Sequence, residues 1–196
     1  MNQESLPSYE EFRKILTSRN LKEMQIIYFA LGFGIVVFNI VLVLTYNVMT
    51  QYTSGAEDKV ILFISILHFL ILFAVILLNQ FLFLKVLKSQ RSGATFVPAA
   101  QDQPSDTVNR STHTFWNRLR VAHIFRLALF ESVAVFGLVV CTLAAFNGVL
   151  QAHPIYWLNL FSSLLFMVFL VNHFPTPEKL ERFFREYVQG QSIMMD

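Results

Sequence analysis

Apolar residues along this chain come in long uninterrupted runs, without the alternation of a half-buried strand or the single stripe of a soluble amphipathic helix. Four runs stand out, at residues 24–46, 60–84, 121–146 and 155–174. A helix rising about 1.5 Å per residue needs about 20 apolar residues to cross a hydrocarbon layer of about 30 Å, so each run is long enough to span a bilayer. Stretches such as FLFLKVL and LLFMVFLV are apolar at consecutive positions. That excludes barrel strands, in which apolar and polar residues alternate. The pattern predicts an all-α protein, an integral membrane four-helix antiparallel bundle with short amphipathic helices at both cytoplasmic ends.

The flanking segments carry their own helix signals. Ser8 and Glu11 have capping-box spacing, and Phe12, Ile15 and Leu16 then fall on one side of a short helix ending near Asn20. Thr176, Pro177 and Glu178 form a second helix start, with a capping hydroxyl and Pro at the first helical position. Leu180, Phe183, Phe184 and Tyr187 gather on one face of that helix, and Lys179, Glu181, Arg182, Arg185 and Glu186 fall mostly on others. Both pieces, the arm 1–23 and the segment 175–196, are expected to rest on lipid as interfacial helices, with docking to a cytoplasmic partner as the alternative. Between them, residues 85–120 make a basic loop. Its portion 89–114 is rich in Ser, Thr, Gln, Asp and Pro and is expected to be disordered. The loops 47–59 and 147–154 are short and leave no room for a receptor domain.

Composition agrees with a membrane solvent: 55% of the residues are apolar and 14% charged, against about 25% charged in soluble domains. One Cys excludes a disulfide framework and any Cys-based metal cluster. Basic residues fix the expected orientation, because short loops rich in Lys and Arg stay in the cytoplasm. Arg13, Lys14, Arg19 and Lys22 precede the first run, Lys85, Lys88, Arg91, Arg110, Arg118 and Arg120 lie in the middle loop, and Lys179, Arg182 and Arg185 follow the last run. The opposite side has Lys59 alone, so both termini are read as cytoplasmic. The Asn109-Arg110-Ser111 glycosylation triplet is discounted on that orientation. The first apolar run is longer than a signal-peptide core and reads as a retained anchor. A net charge of +2 split among segments gives no single basic face for nucleic acid.

Ionisable groups inside apolar spans are costly, so each is a candidate for function. Glu131 falls near the middle of the third run, and His68 lies at a similar depth in the second, within range of a Glu131–His68 contact by depth. Ser65, His68, Leu72 and Asn79 recur at helical spacing. Tyr28, Gly32, Asn39 and Tyr46 do so in the first run, Leu127, Glu131, Leu138 and Thr142 in the third, and the fourth offers Asn159, Ser162 and Ser163. These stripes are expected to face one another as an intramembrane polar seam, with Glu131, His68, Asn39, Asn79 and Thr142 as its members or as a proton site. Arg126 is expected to extend toward the inner surface, forming with Arg118, Arg120 and His123 a basic collar for lipid phosphate or partner helices. His153 and His173, with Tyr156 and Trp157, read as boundary residues of the fourth run, and Cys141 as a small hydrophobe.

No GxSxG, HExxH, P-loop or GxGxxG pattern occurs, and the five His lack metal-ligand spacing. No cofactor or metal is expected. The string ALFESVAVFGLVV at 128–140 resembles the carboxylate-bearing helix of rotary ATPase proteolipid subunits, which implies Glu131 as a proton-binding carboxylate. The whole layout, with MQIIYFAL opening the first span, ALFES in the third and FPT after the last, resembles small four-span proteins of bacterial inner membranes. That resemblance implies the bacterial cytoplasmic membrane as the compartment. The residues favour a non-catalytic interaction or accessory subunit, in contact with the lipid bilayer and with a protein partner or a second copy. The rival is a proton- or ion-coupled transporter or channel subunit using Glu131, with His68 as relay. A lipid-directed enzyme would use Arg118, Arg120, His123 and Arg126 for a headgroup, but a nucleophile with an evident base is missing.

Overall fold

The computed structural model describes residues 9–16, 18–49, 58–89 and 104–192. Among them the regular structure is entirely helical: α1 (Tyr9–Ile15), α2 (Ser18–Met49), α3 (Asp58–Ser89), α4 (Pro104–Phe146), α5 (Val149–Ala152), a 3-10 helix (Pro154–Leu160), α6 (Phe161–Asn172) and α7 (Pro177–Ser192). Four segments are long and apolar enough to cross a membrane, Arg19–Asn47, Lys59–Asn79, Thr112–Phe146 and Pro154–Asn172. The chain is an all-α, multi-pass membrane protein.

Two expectations about the connections change. The polar stretch read as disordered is helical from Pro104 onward, where α4 begins. Its composition masks a helix start, with Pro104 at the first helical position. The part of that stretch at 90–103, like Ser8 of the proposed capping box, lies outside the described residues. The short loop expected at 147–154 is also largely folded. Gly148 ends α4 with a left-handed φ of 69°, a conformation that favours glycine, and α5 follows with Val149 and Leu150 buried.

The helices contribute to two compact units. The first comprises Met1–Ile27, Phe83–Ile124 and Phe174–Asp196. Its core unites Phe12 and Ile15 of α1, Leu21 and Met24 of α2, Phe115, Trp116, Leu119 and Ala122 of α4, and Leu180 and Phe184 of α7. Phe12 and Phe184 stack with ring centroids 4.3 Å apart, and Phe115 meets them edge-on at 5.8 and 5.3 Å. Of the residues read as lipid-facing, Phe12 and Ile15 of α1 and Leu180 and Phe184 of α7 are therefore covered by protein. Phe12 is fully buried and Leu180 and Phe184 nearly so, and burying side chains of this size is worth about 1.5–3 kcal/mol each.

Polar contacts trim the edges of this unit. Thr176 Oγ1 accepts from the Lys179 backbone N–H at 3.3 Å, the cap signalled in the sequence, and Gln25 Nε2 donates to the Pro175 carbonyl at 3.0 Å. Arg120 pairs with Glu23 at 3.2 Å. Tyr9 Oη donates to Glu181 Oε2 at 2.8 Å, with Arg13 and Arg185 flanking the same carboxylate at 4.0 and 3.9 Å. The Glu181 acceptor holds the Tyr9 phenol above its ordinary ionisation range. This contribution is present below pH ~10 and is lost as pH rises through the elevated value. Trp116 emission in a Trp157→Phe background should therefore show an alkaline transition in the wild type. Tyr9→Phe should remove it, and a persisting transition would assign it to another group.

The second unit comprises Tyr28–Leu82 and Phe125–His173. α2 contributes a narrow seam, Tyr28, Ile35 and Leu42, each 1% exposed. α3 contributes Ile61, Ser65, His68, Leu72 and Asn79. On α4 the small residues Gly137, Cys141 and Ala145 lie on the buried side at four-residue spacing, which lets helices approach closely. Phe29, Phe33, Leu70 and Phe73 point outward as large exposed apolar side chains, the surface a bilayer requires.

Candidate functional site

Buried polar side chains of the second unit form two clusters. Asn159 of the 3-10 helix, 1% exposed, is the hub of the first. Its Nδ2 donates to the Tyr156 carbonyl at 2.9 Å and to Ser65 Oγ at 3.1 Å. A carbonyl only accepts, so this fixes the amide orientation and leaves Oδ1 facing His68 Nδ1 at 2.9 Å. The imidazole must then carry its hydrogen on Nδ1. His68 is fully buried, and its Nε2 makes no hydrogen bond among the described residues.

Gly137 of α4 makes this junction sterically feasible. A Cβ there would fall within contact distance of the Asn159 carbonyl oxygen and Ser162 Oγ, and 2.8 Å from His68 Nε2. Ser162 Oγ donates to the Asn159 carbonyl at 3.0 Å, and Cys141 Sγ to the Tyr156 carbonyl at 3.3 Å. Neither hydroxyl nor thiol is hydrogen-bonded to His68, so the cluster holds no nucleophile–base pair.

Arg126 is the centre of the second cluster. It is 8% exposed, and its Nε donates to Asn79 Oδ1 at 2.8 Å. Its guanidinium carbon lies 4.7 Å from the centroid of the Phe169 ring, which stacks in turn on Phe130 and His173. Arg126 is thus turned into the second unit, not extended to the surface as expected, because a guanidinium finds there both an acceptor and an aromatic face. Arg118, Arg120 and His123 belong to the first unit, where Arg120 is taken by Glu23. A double-mutant cycle on Asn79→Leu and Arg126→Leu should return a coupling of about 1.5–3 kcal/mol, typical of a hydrogen bond to a charged group. Strict additivity would mean that the bond contributes nothing.

The remaining seam candidates look elsewhere. Asn39 Nδ2 donates to the Ile35 carbonyl and Thr142 Oγ1 to the Leu138 carbonyl, each at 2.8 Å within its own helix. Glu131 is half-buried and makes no hydrogen bond or ion pair among the described residues. His68 pairs with Asn159, and the Glu131–His68 contact considered from depth is not made. Gly137 and Phe169 were not singled out from the sequence. The Gly137-x3-Cys141-x3-Ala145 spacing is the signal that marks the first, whereas Phe169 is one of many aromatics in an apolar run. Among the described residues no group of three or more His, Cys, Asp or Glu could hold a metal ion.

No family model, curated protein or solved structure matches the chain.

Proposed function

We propose that this membrane protein is a non-catalytic accessory or assembly subunit of the bacterial cytoplasmic membrane, with a polar seam that holds its own helices together. The observation that carries this reading is the bonding between helices within the seam. Asn159, Ser65 and His68 bond one another, and Asn79 bonds Arg126. A conduction path needs polar groups that exchange partners with water or ions. Groups committed to each other serve as interhelical glue. The distribution of basic residues supports an antiparallel arrangement with both termini and the 85–120 segment cytoplasmic.

Proton flux in liposomes carrying the purified protein is expected to equal that of empty liposomes. Flux above that level which Glu131→Gln abolishes would overturn the proposal in favour of a proton- or ion-coupled transporter or channel subunit. For the orientation, single cysteines at Lys59 and Arg182 in a Cys141→Ala background are decisive. An impermeant thiol reagent applied to intact cells, with the outer membrane opened, should label the first and spare the second.

A further inference from the structure

Glu131 belongs to neither cluster: it is an ionisable side chain within an apolar span, half-buried, with no hydrogen bond or ion pair among the described residues. It borders an outward line on α4. Phe125, Ala128, Ser132, Val139 and Phe146 are exposed along this line, with Val135 and Thr142 half-buried between them. Steps of three and four residues in alternation trace the seam along which two spanning helices pack at a shallow crossing angle. Ala128 and Ser132 are small enough for close backbone approach. Ser132 Oγ is turned back onto the Leu129 carbonyl at 2.8 Å and does not serve Glu131. At 3.6 residues per turn, Glu131 lies about 60° round the helix from Ala128 and about 40° from Val135. It therefore stands at the edge of the seam, within reach of a long side chain from across it.

We infer that this face of α4 docks a transmembrane helix of another protein that carries a lysine or arginine at matching depth, with Glu131 receiving its charge. A carboxylate facing hydrocarbon is stabilised by an opposite charge delivered without water. A second copy does not supply one. Arg126, the basic residue nearest Glu131 on α4, is 8% exposed and engaged with Asn79, while Arg118 and Arg120 lie 13 and 11 residues before Glu131, Arg19 and Lys22 stand at the start of α2 and Lys59 at the start of α3. The inference rests on the accessory-subunit reading and specifies the partner's chemistry.

The test uses the labelled full-length protein in phosphatidylcholine liposomes with a labelled polyleucine transmembrane peptide carrying one central Lys, against the same peptide with Leu there. Energy transfer should show the Lys peptide binding about tenfold tighter. Glu131→Gln should erase that difference. Ser132→Ile, which keeps the carboxylate and blocks close approach, should weaken Lys-peptide binding as well. Equal binding of the two peptides to the wild type, or a preference that survives Glu131→Gln, overturns the inference. Self-association of the wild type that Glu131→Gln abolishes also overturns it, by assigning the face to a second copy. Proton flux in the same liposomes keeps the two readings apart. Absent flux with absent peptide preference removes the docking alone, whereas flux dependent on Glu131 removes the accessory reading with it.

Discussion

Gly137→Ala is expected to lower the thermal stability of the detergent-purified protein by more than any other single added methyl on α4. The new Cβ would press on the Asn159 carbonyl, Ser162 Oγ and His68 Nε2 together. The first of these is backbone and moves only if the 3-10 helix moves. Overpacking of this kind costs about 1–3 kcal/mol, and the gain from replacing a mid-helix glycine, about 0.5–1 kcal/mol, offsets only part of it. Gly34 provides the control, since a Cβ there meets nothing within 4 Å. Gly34→Ala should leave the protein equally or more stable. Cys141 is the chain's single cysteine and is buried, so a thiol-reactive dye that fluoresces on reaction reports the midpoint directly. Equal midpoints for the two alanine variants would show that α4 does not approach the 3-10 helix as closely as described.

Asn159→Leu should be comparably damaging for a different reason. It removes the acceptor of His68 Nδ1 and the donor to Ser65 Oγ and the Tyr156 carbonyl. Each buried polar group stranded in this way costs about 1–3 kcal/mol. Replacing the stranded groups as well should recover part of the loss. The triple variant Asn159→Leu, His68→Leu, Ser65→Ala is expected to melt above Asn159→Leu, since an apolar set of similar volume leaves no unmet donor. A triple variant less stable than the single one would indicate that shape, more than hydrogen bonding, holds the junction.

The spans were legible in the sequence because bilayer thickness fixes the length of an apolar run, and no tertiary context is needed to count it. Inward-facing positions were harder to read. On a helix that is apolar all round, burial against protein and exposure to lipid call for the same residue types. On α2 the polar stripe Tyr28, Gly32, Asn39, Tyr46 shares only its first two positions with the buried seam, which continues through Ile35 and Leu42. Asn39 misled because a helical asparagine can be satisfied by its own backbone. Asn159 was visible as a polar residue in an apolar run, but its role as hub depends on the 3-10 geometry after Pro154. Proline announces that start without specifying which kind of helix follows. Phe115 and Trp116 stand just past the polar stretch 89–114, inside the segment 85–120 read as a basic loop. Read with Thr112, Leu119 and Ala122, all buried, they show a helical period that composition alone conceals.

The first unit is assembled from three stretches far apart in the chain, with α1 at one extreme and α7 at the other. Phe12 is synthesised early, Phe115 and Trp116 only after two spans, and Leu180 and Phe184 after all four. Without α7 the rings of Phe12, Phe115 and Trp116 still meet one another but lose the Phe184 ring that stacks on Phe12. Loss of α7 is therefore expected to uncover one side of this aromatic core while leaving the four apolar segments unchanged.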